Sequence, residues 1–136
     1  MTATVTYLGE LRTEAHHVAS GNRLITDAPT DNHGKGEAFS PTDLVASAHA
    51  SCMLTLMGIA ARTHDINMDG ARAEVLKVMA SQPRRIARLE TTVFFPEGKV
   101  YSEKQRAILE NAARTCPVAL SLHPELVQHI VFVWPH

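Results

Sequence analysis

Two cysteines, Cys52 and Cys116, are the residues of this 136-residue chain best suited to chemistry. A thiolate is a nucleophile, and two thiols that meet can cycle between dithiol and disulfide. A peroxide converts a thiolate into a sulfenic acid, with which a second thiol condenses. The thiolate needs a nearby cation to lower its pKa. The N-terminus lacks a basic stretch followed by an apolar run, so a cytoplasmic location is expected. That compartment keeps thiols reduced, which argues against a static cross-link. The bland reading of a lone helical cysteine is a small core hydrophobe. A second inward-facing cysteine shifts the balance toward a redox pair.

Rival uses of the same residues are weaker. His49 and Cys52 have metal-ligand spacing, and His16, His17 and His123 could complete a zinc set. The chain contains neither CxxC nor HExxH, so no metal is expected. A Cys52–His49 pair for acyl transfer or hydrolysis is a second possibility, although an i, i+3 histidine serves as readily as a packing or polar contact. A third is a non-catalytic dimer that binds an apolar small molecule. Gly34-Lys35-Gly36 lacks the spacing and trailing Ser/Thr of a phosphate loop and reads as a flexible loop near the start of the cysteine helix.

The elements that must position these residues follow from periodicity. Residues 4–8 and 11–18 read as strands, Ser20-Gly21-Asn22 as a turn, and residues 23–26 as a returning hairpin strand. Residues 27–38 form a loop broken by Pro29, Asn32, Gly34 and Gly36. Ser40, Pro41 and Asp43 supply an N-cap, a first-position proline and a capping-box acid. The uncharged run at 44–61 then predicts a helix apolar nearly all round. Ser47, His49, Ser51 and Thr55 interrupt it too often for a membrane span. One 136-residue domain can hardly surround such a helix, so a second copy of the chain is expected to cover part of it.

Strands are predicted at 71–80 and 86–95 around Ser81-Gln82-Pro83, and Ser102 with Gln105 caps a helix running to Thr115. Ile108, Leu109, Ala112, Ala113 and Cys116 share one face of it, and Pro117 biases Cys116 away from helical geometry. Residues 126–134 form a closing strand. The layout is a single α+β domain over residues 1–136, with antiparallel sheet and helices segregated to one face. A net charge of −1 leaves no electrostatic footprint for nucleic acid or an anionic membrane. The clustered Arg84, Arg85 and Arg88 read as a solvated rim.

The run Gly34-Lys35-Gly36-Glu37-Ala38-Phe39-Ser40-Pro41-Thr42-Asp43-Leu44-Val45-Ala46, continuing to Ser51-Cys52-Met53-Leu54, resembles the OsmC/Ohr family of thiol-dependent peroxidases. Cys116-Pro117-Val118 resembles that family's second cysteine motif, and the order of elements matches along nearly the whole chain. The resemblance implies an OsmC-like fold: an intertwined homodimer with antiparallel sheets wrapped around long buried central helices. It implies that Cys52 is the peroxidatic cysteine and Cys116 the resolving one. It implies an arginine that holds the thiolate and the peroxide, for which Arg12 matches best in position and Arg23 is the reserve. The family's glutamate ten residues before the reactive cysteine is Thr42 here. Asp43, one residue later, and Glu37 are the candidate replacements. The implied activity is reduction of organic hydroperoxides, with hydrogen peroxide as the second-choice oxidant, in oxidative-stress defence, with no bound cofactor and with a small dithiol or a lipoyl-bearing protein as reductant. Met53, Leu56 and Met57 could offer an apolar wall to such a substrate, or be plain core.

Overall fold

The computed structural model describes residues 1–136, which divide into two compact units, 1–45 and 46–136. In the first, β1 (Ala3–Gly9), β2 (Arg12–His17) and β3 (Arg23–Asp27) form an antiparallel sheet in chain order. Gly9 (φ +90°) makes the β1–β2 turn, with Glu10 and Leu11 also in the left-handed region, a geometry that a glycine adopts without steric cost. The second hairpin is tied by the His17 amide donating to the Asn22 carbonyl (2.8 Å). Its turn therefore occupies residues 18–21, earlier than Ser20-Gly21-Asn22, and the register pairs Arg12 with Asp27. A single 3-10 turn (Thr30–Asn32) lies in the following loop.

The long helix α1 (Pro41–Thr63) starts at the end of the first unit and runs into the second. It starts where the capping residues indicate: Ser40 Oγ accepts from the Asp43 amide (3.1 Å), and Asp43 Oδ2 accepts from the Ser40 amide (3.0 Å). It is long and apolar enough to cross a membrane by length and composition, a property that core helices of soluble proteins share. Its buried residues, Ala46, His49, Ala50, Met53, Met57 and Ala61, make one stripe at helical spacing. Ala48, Ser51, Thr55 and Ile59, on the opposite side, are exposed. The expectation of burial on every side thus holds within one chain for a single stripe.

In the second unit, β4 (Arg72–Ala80) pairs antiparallel with β5 (Arg85–Phe94), and β5 pairs with β6 (Val127–Val133). The β5–β6 pairing is parallel, which corrects the expectation of wholly antiparallel sheet. The cause is the connection: α2 (Glu103–Arg114) carries the chain back along the sheet before β6 begins, as a parallel crossover requires. The capping box of α2 forms as the sequence indicates, between Ser102 and Gln105. Pro117 does more than end this helix: it opens a short helix, α3 (Pro117–Ser121), which the sequence reading missed. The core joins Met53, Met57 and Ala61 of α1 to Val93 of β5, Phe95 just beyond it, Leu109 and Ala113 of α2, and Cys116 and Ala119. Met53, Met57, Val93 and Leu109 are completely buried, and burying a side chain of this size completely contributes about 1.5–3 kcal/mol. Met53 and Met57 are completely buried core residues and not an apolar wall open to substrate.

Candidate active site

Each unit carries one cluster. In the second, α1 presents Cys52 and the link between α2 and α3 presents Cys116; both are free thiols. Cys116 has zero exposed surface and belongs to the core cluster, while Cys52 is half-buried and packs against that cluster. Cys116 leaves helical geometry (φ −69°, ψ 146°), as a residue before proline must, and caps α3. Its Sγ accepts a hydrogen bond from the Ala119 amide (3.4 Å).

Burial pushes the Cys116 thiol above its ordinary value. The Ala119 amide opposes that rise, and the Cys52 side chain, within interacting range, adds to it. Cys116 is therefore held as a neutral thiol beside a second thiol that solvent reaches. This geometry suits one sulfur attacked from outside and one that reacts only with its neighbour.

His49, one turn before Cys52, is completely buried. Its Nε2 hydrogen-bonds Gln128 Oε1 (2.9 Å), and its Nδ1 has no partner. A Cys52–His49 nucleophile pair is thus not formed, which removes the geometric basis of the acyl-transfer reading. No three His, Cys, Asp or Glu side chains converge as metal ligands. His17 bonds Ser20 Oγ (2.6 Å) and His123 Nδ1 accepts the Glu125 amide (3.1 Å).

In the first unit, Arg12 is engaged by acids. Its Nε donates to Asp27 Oδ1 (2.7 Å) and its Nη2 to Asp27 Oδ2 (2.9 Å), a two-pronged pairing of the strong kind. Nη2 also donates to Glu37 Oε1 (3.4 Å), so Glu37 is a partner of Arg12 as anticipated. Asp27 is 1% exposed and accepts a third hydrogen bond from the Glu37 amide (3.2 Å). The bond from Arg12 is the main reason its carboxyl lies below the usual aspartate range. Arg23, the reserve candidate, is exposed and pairs with Glu14. Lys35 pairs with Glu10 (2.6 Å). Asp43 serves the α1 cap.

Asp27 is the principal residue of this cluster that sequence reasoning missed. The signal was present as an Arg–Asp cross-strand pair, but it shows only in the correct hairpin register. A turn placed later along the chain leaves Asp27 as an ordinary loop residue.

The fold and these clusters describe an α+β protein that carries two neighbouring thiols and an arginine paired with a buried carboxylate. The chain belongs to the OsmC-like protein family, whose model matches residues 34–129. A crystal structure from Psychrobacter arcticus, of a protein provisionally described as an osmotic stress induced and detoxification response protein, is 50% identical, with 98% of this chain and 96% of that chain covered and a TM-score of 0.93. The organic hydroperoxide resistance protein OsmC of Legionella pneumophila is 15% identical over 97% of this chain and 96% of its own, with a TM-score of 0.72. The organic hydroperoxide resistance protein OhrB of Bacillus subtilis is 17% identical over 98% of both chains, with a TM-score of 0.71. These last two share the fold. No protein of curated function matches the sequence.

Proposed function

We propose that the chain is a thiol peroxidase that reduces organic hydroperoxides to alcohols. The observation that carries this reading is the asymmetry of the thiol pair: Cys52 half-exposed, Cys116 fully buried and within interacting range of it. The structural relatives named for organic hydroperoxide resistance support the choice of oxidant. The Cys52 thiolate attacks the terminal peroxide oxygen; an S–O bond forms, the O–O bond breaks, and the alkoxide leaves as the alcohol by taking up from solvent the proton that the thiol released on ionising. The Cys116 sulfur then attacks the sulfenic sulfur, the S–O bond breaks, and hydroxide departs as water with the Cys116 proton. An external dithiol, free or lipoyl-bound, restores both thiols by two-electron exchange. Arg12 is the cation assigned to the thiolate and the peroxide, with Asp27 and Glu37 holding its guanidinium and Asp43 fixing the start of the helix that bears Cys52. A second copy of the chain is proposed to cover the exposed stripe of α1, and the cytoplasm to be the working compartment.

The test is intact mass after treating reduced protein with tert-butyl hydroperoxide. Loss of two hydrogens is expected in the native chain and in neither Cys52→Ser nor Cys116→Ser. Cysteines that both remain thiols under turnover, or ester hydrolysis retained by Cys116→Ser, would sink the reading.

A further inference from the structure

His49 is a costly residue to bury. Gln128, on the inward face of β6, donates through Nε2 to the Ala119 carbonyl (2.9 Å). A carbonyl only accepts, so the Gln128 nitrogen must face Ala119 and its oxygen must face His49. His49 Nε2 therefore carries a proton toward Gln128, and the buried Nδ1 is left without a partner. A leucine of similar volume would avoid that unpaired group. What the imidazole gains in exchange is one directed bond to Gln128, whose own amide reaches α3. Ala119 is where it arrives: its carbonyl takes the Gln128 proton, and its amide donates to Cys116 Sγ. The helix that bears Cys52 is thus joined to the turn that bears Cys116 by an unbroken line of hydrogen bonds, all inside the second unit.

We propose that His49 and Gln128 are positioning residues for the resolving step, bracing α3 so that Cys116 Sγ stays in line with the Cys52 sulfur. The inference rests on the peroxidase reading for its biological setting, but the brace itself acts on any disulfide formed between these two sulfurs. His49 is completely buried, and Gln128 is engaged by His49 and the Ala119 carbonyl, so the brace gives neither residue a part in the first chemical step. The second is a displacement at sulfur, in which small misplacements of the attacking atom are expensive.

The experiment compares His49→Leu, His49→Gln, Gln128→Leu and the native chain, each confirmed folded by circular dichroism. Sulfenic acid formation at Cys52 is followed by dimedone capture in a Cys116→Ser background with tert-butyl hydroperoxide. Closure of the Cys52–Cys116 disulfide is followed by quenched mass spectrometry in chains that retain both cysteines. Both leucine variants should capture dimedone at the native rate but close the disulfide slower, on the order of tenfold to a hundredfold. His49→Gln, whose side-chain amide can donate to Gln128, should recover most of the lost rate. Native closure rates in both leucine variants, or equal slowing of both steps, would overturn the brace.

Oxidised glutathione separates this failure from failure of the peroxidase reading. It forms a mixed disulfide at Cys52, from which Cys116 displaces glutathione as a thiol, with no peroxide involved. If peroxide leaves even the native chain unchanged, the peroxidase reading fails, and the brace is judged here. Accumulation of the mixed disulfide in the leucine variants, relative to native, supports it; a native ratio of mixed to internal disulfide refutes it.

Discussion

Asp27 sets what Arg12 can do. A guanidinium on an exposed strand would sample many rotamers, but two parallel bonds to a carboxylate that is itself buried fix its plane. The carboxylate is in turn held by the Glu37 amide, so the loop after β3 and the arginine order one another. Asp27→Asn keeps the shape but offers one acceptor where the arginine fork needs two. If Arg12 serves the Cys52 thiolate, this substitution slows dimedone-detected sulfenic acid formation on the order of tenfold, while disulfide closure from the sulfenic acid keeps its native rate. The same pair carries a pH signature. The folded-state pKa of Asp27 is depressed, so its contribution to stability is complete above the unfolded value, near pH 4, and disappears as pH falls through the lower folded value. Urea unfolding between pH 5 and pH 2 should show a shallower acid loss for Asp27→Asn than for the native chain. Identical slopes would show that the pair contributes nothing to folding.

At the scale of elements, what could be read in advance was whatever short-range chemistry decides. The caps at Ser40–Asp43 and Ser102–Gln105, the inward face of α2, and the extended geometry of Cys116 before Pro117 all form as their residue types require. Three features were not legible because they depend on partners distant in sequence or on a residue with two local meanings. The parallel approach of β6 depends on where α2 returns the chain, and β-rich runs look alike in either direction. Pro117 is equally suited to stop one helix and to start the next, and here it does both. The hairpin register that pairs Arg12 with Asp27 shifts with the placement of one turn.

The loop after β3 has its own constraint, and it falls on Gly34. A Cβ on that residue would stand 1.7 Å from the Ala28 carbonyl oxygen and 2.1 Å from its carbon, which are backbone atoms that cannot swing aside. Gly34→Ala should therefore cost about 1–3 kcal/mol by forcing the backbone apart, and should loosen the Glu37 amide from Asp27. Denaturant titration checks the first effect, and amide exchange at Glu37 the second. An alanine variant of native stability would mean that this loop repacks freely and does not hold the arginine.

For the whole molecule, the decisive feature is the side of α1 that its own chain leaves open. Ala48, Ser51, Thr55 and Ile59 make a stripe of small and apolar residues, with Ile59 57% exposed. Open grooves flank it within the second unit. One, of about 460 Å³, is lined by Ser47, Ser51, Leu54, Ala73 and Val75; the other, of about 360 Å³, by Gly58, Ile59, Ile66 and Met68 together with the charged Arg62 and Asp69. An exposed stripe of small and apolar residues on the helix that also carries Cys52 marks an interface more readily than a water-facing surface. Small side chains allow a second helix to approach closely, and the flanking grooves can take its larger side chains. A specific interface generally buries at least about 1,000 Å², which a helix of 23 residues with its flanks can supply. Light scattering at micromolar concentration should therefore give twice the 14.9 kDa of one chain. Ile59→Lys, which puts an ammonium at the most apolar position of the stripe without disturbing the chain's own core, should shift the mass toward that of one chain. Because Ile59 lies two turns beyond Cys52 and outside the core cluster, the monomeric variant should still form the Cys52–Cys116 disulfide with oxidised glutathione. A native chain that runs as a monomer would show that the open stripe serves something other than a second copy.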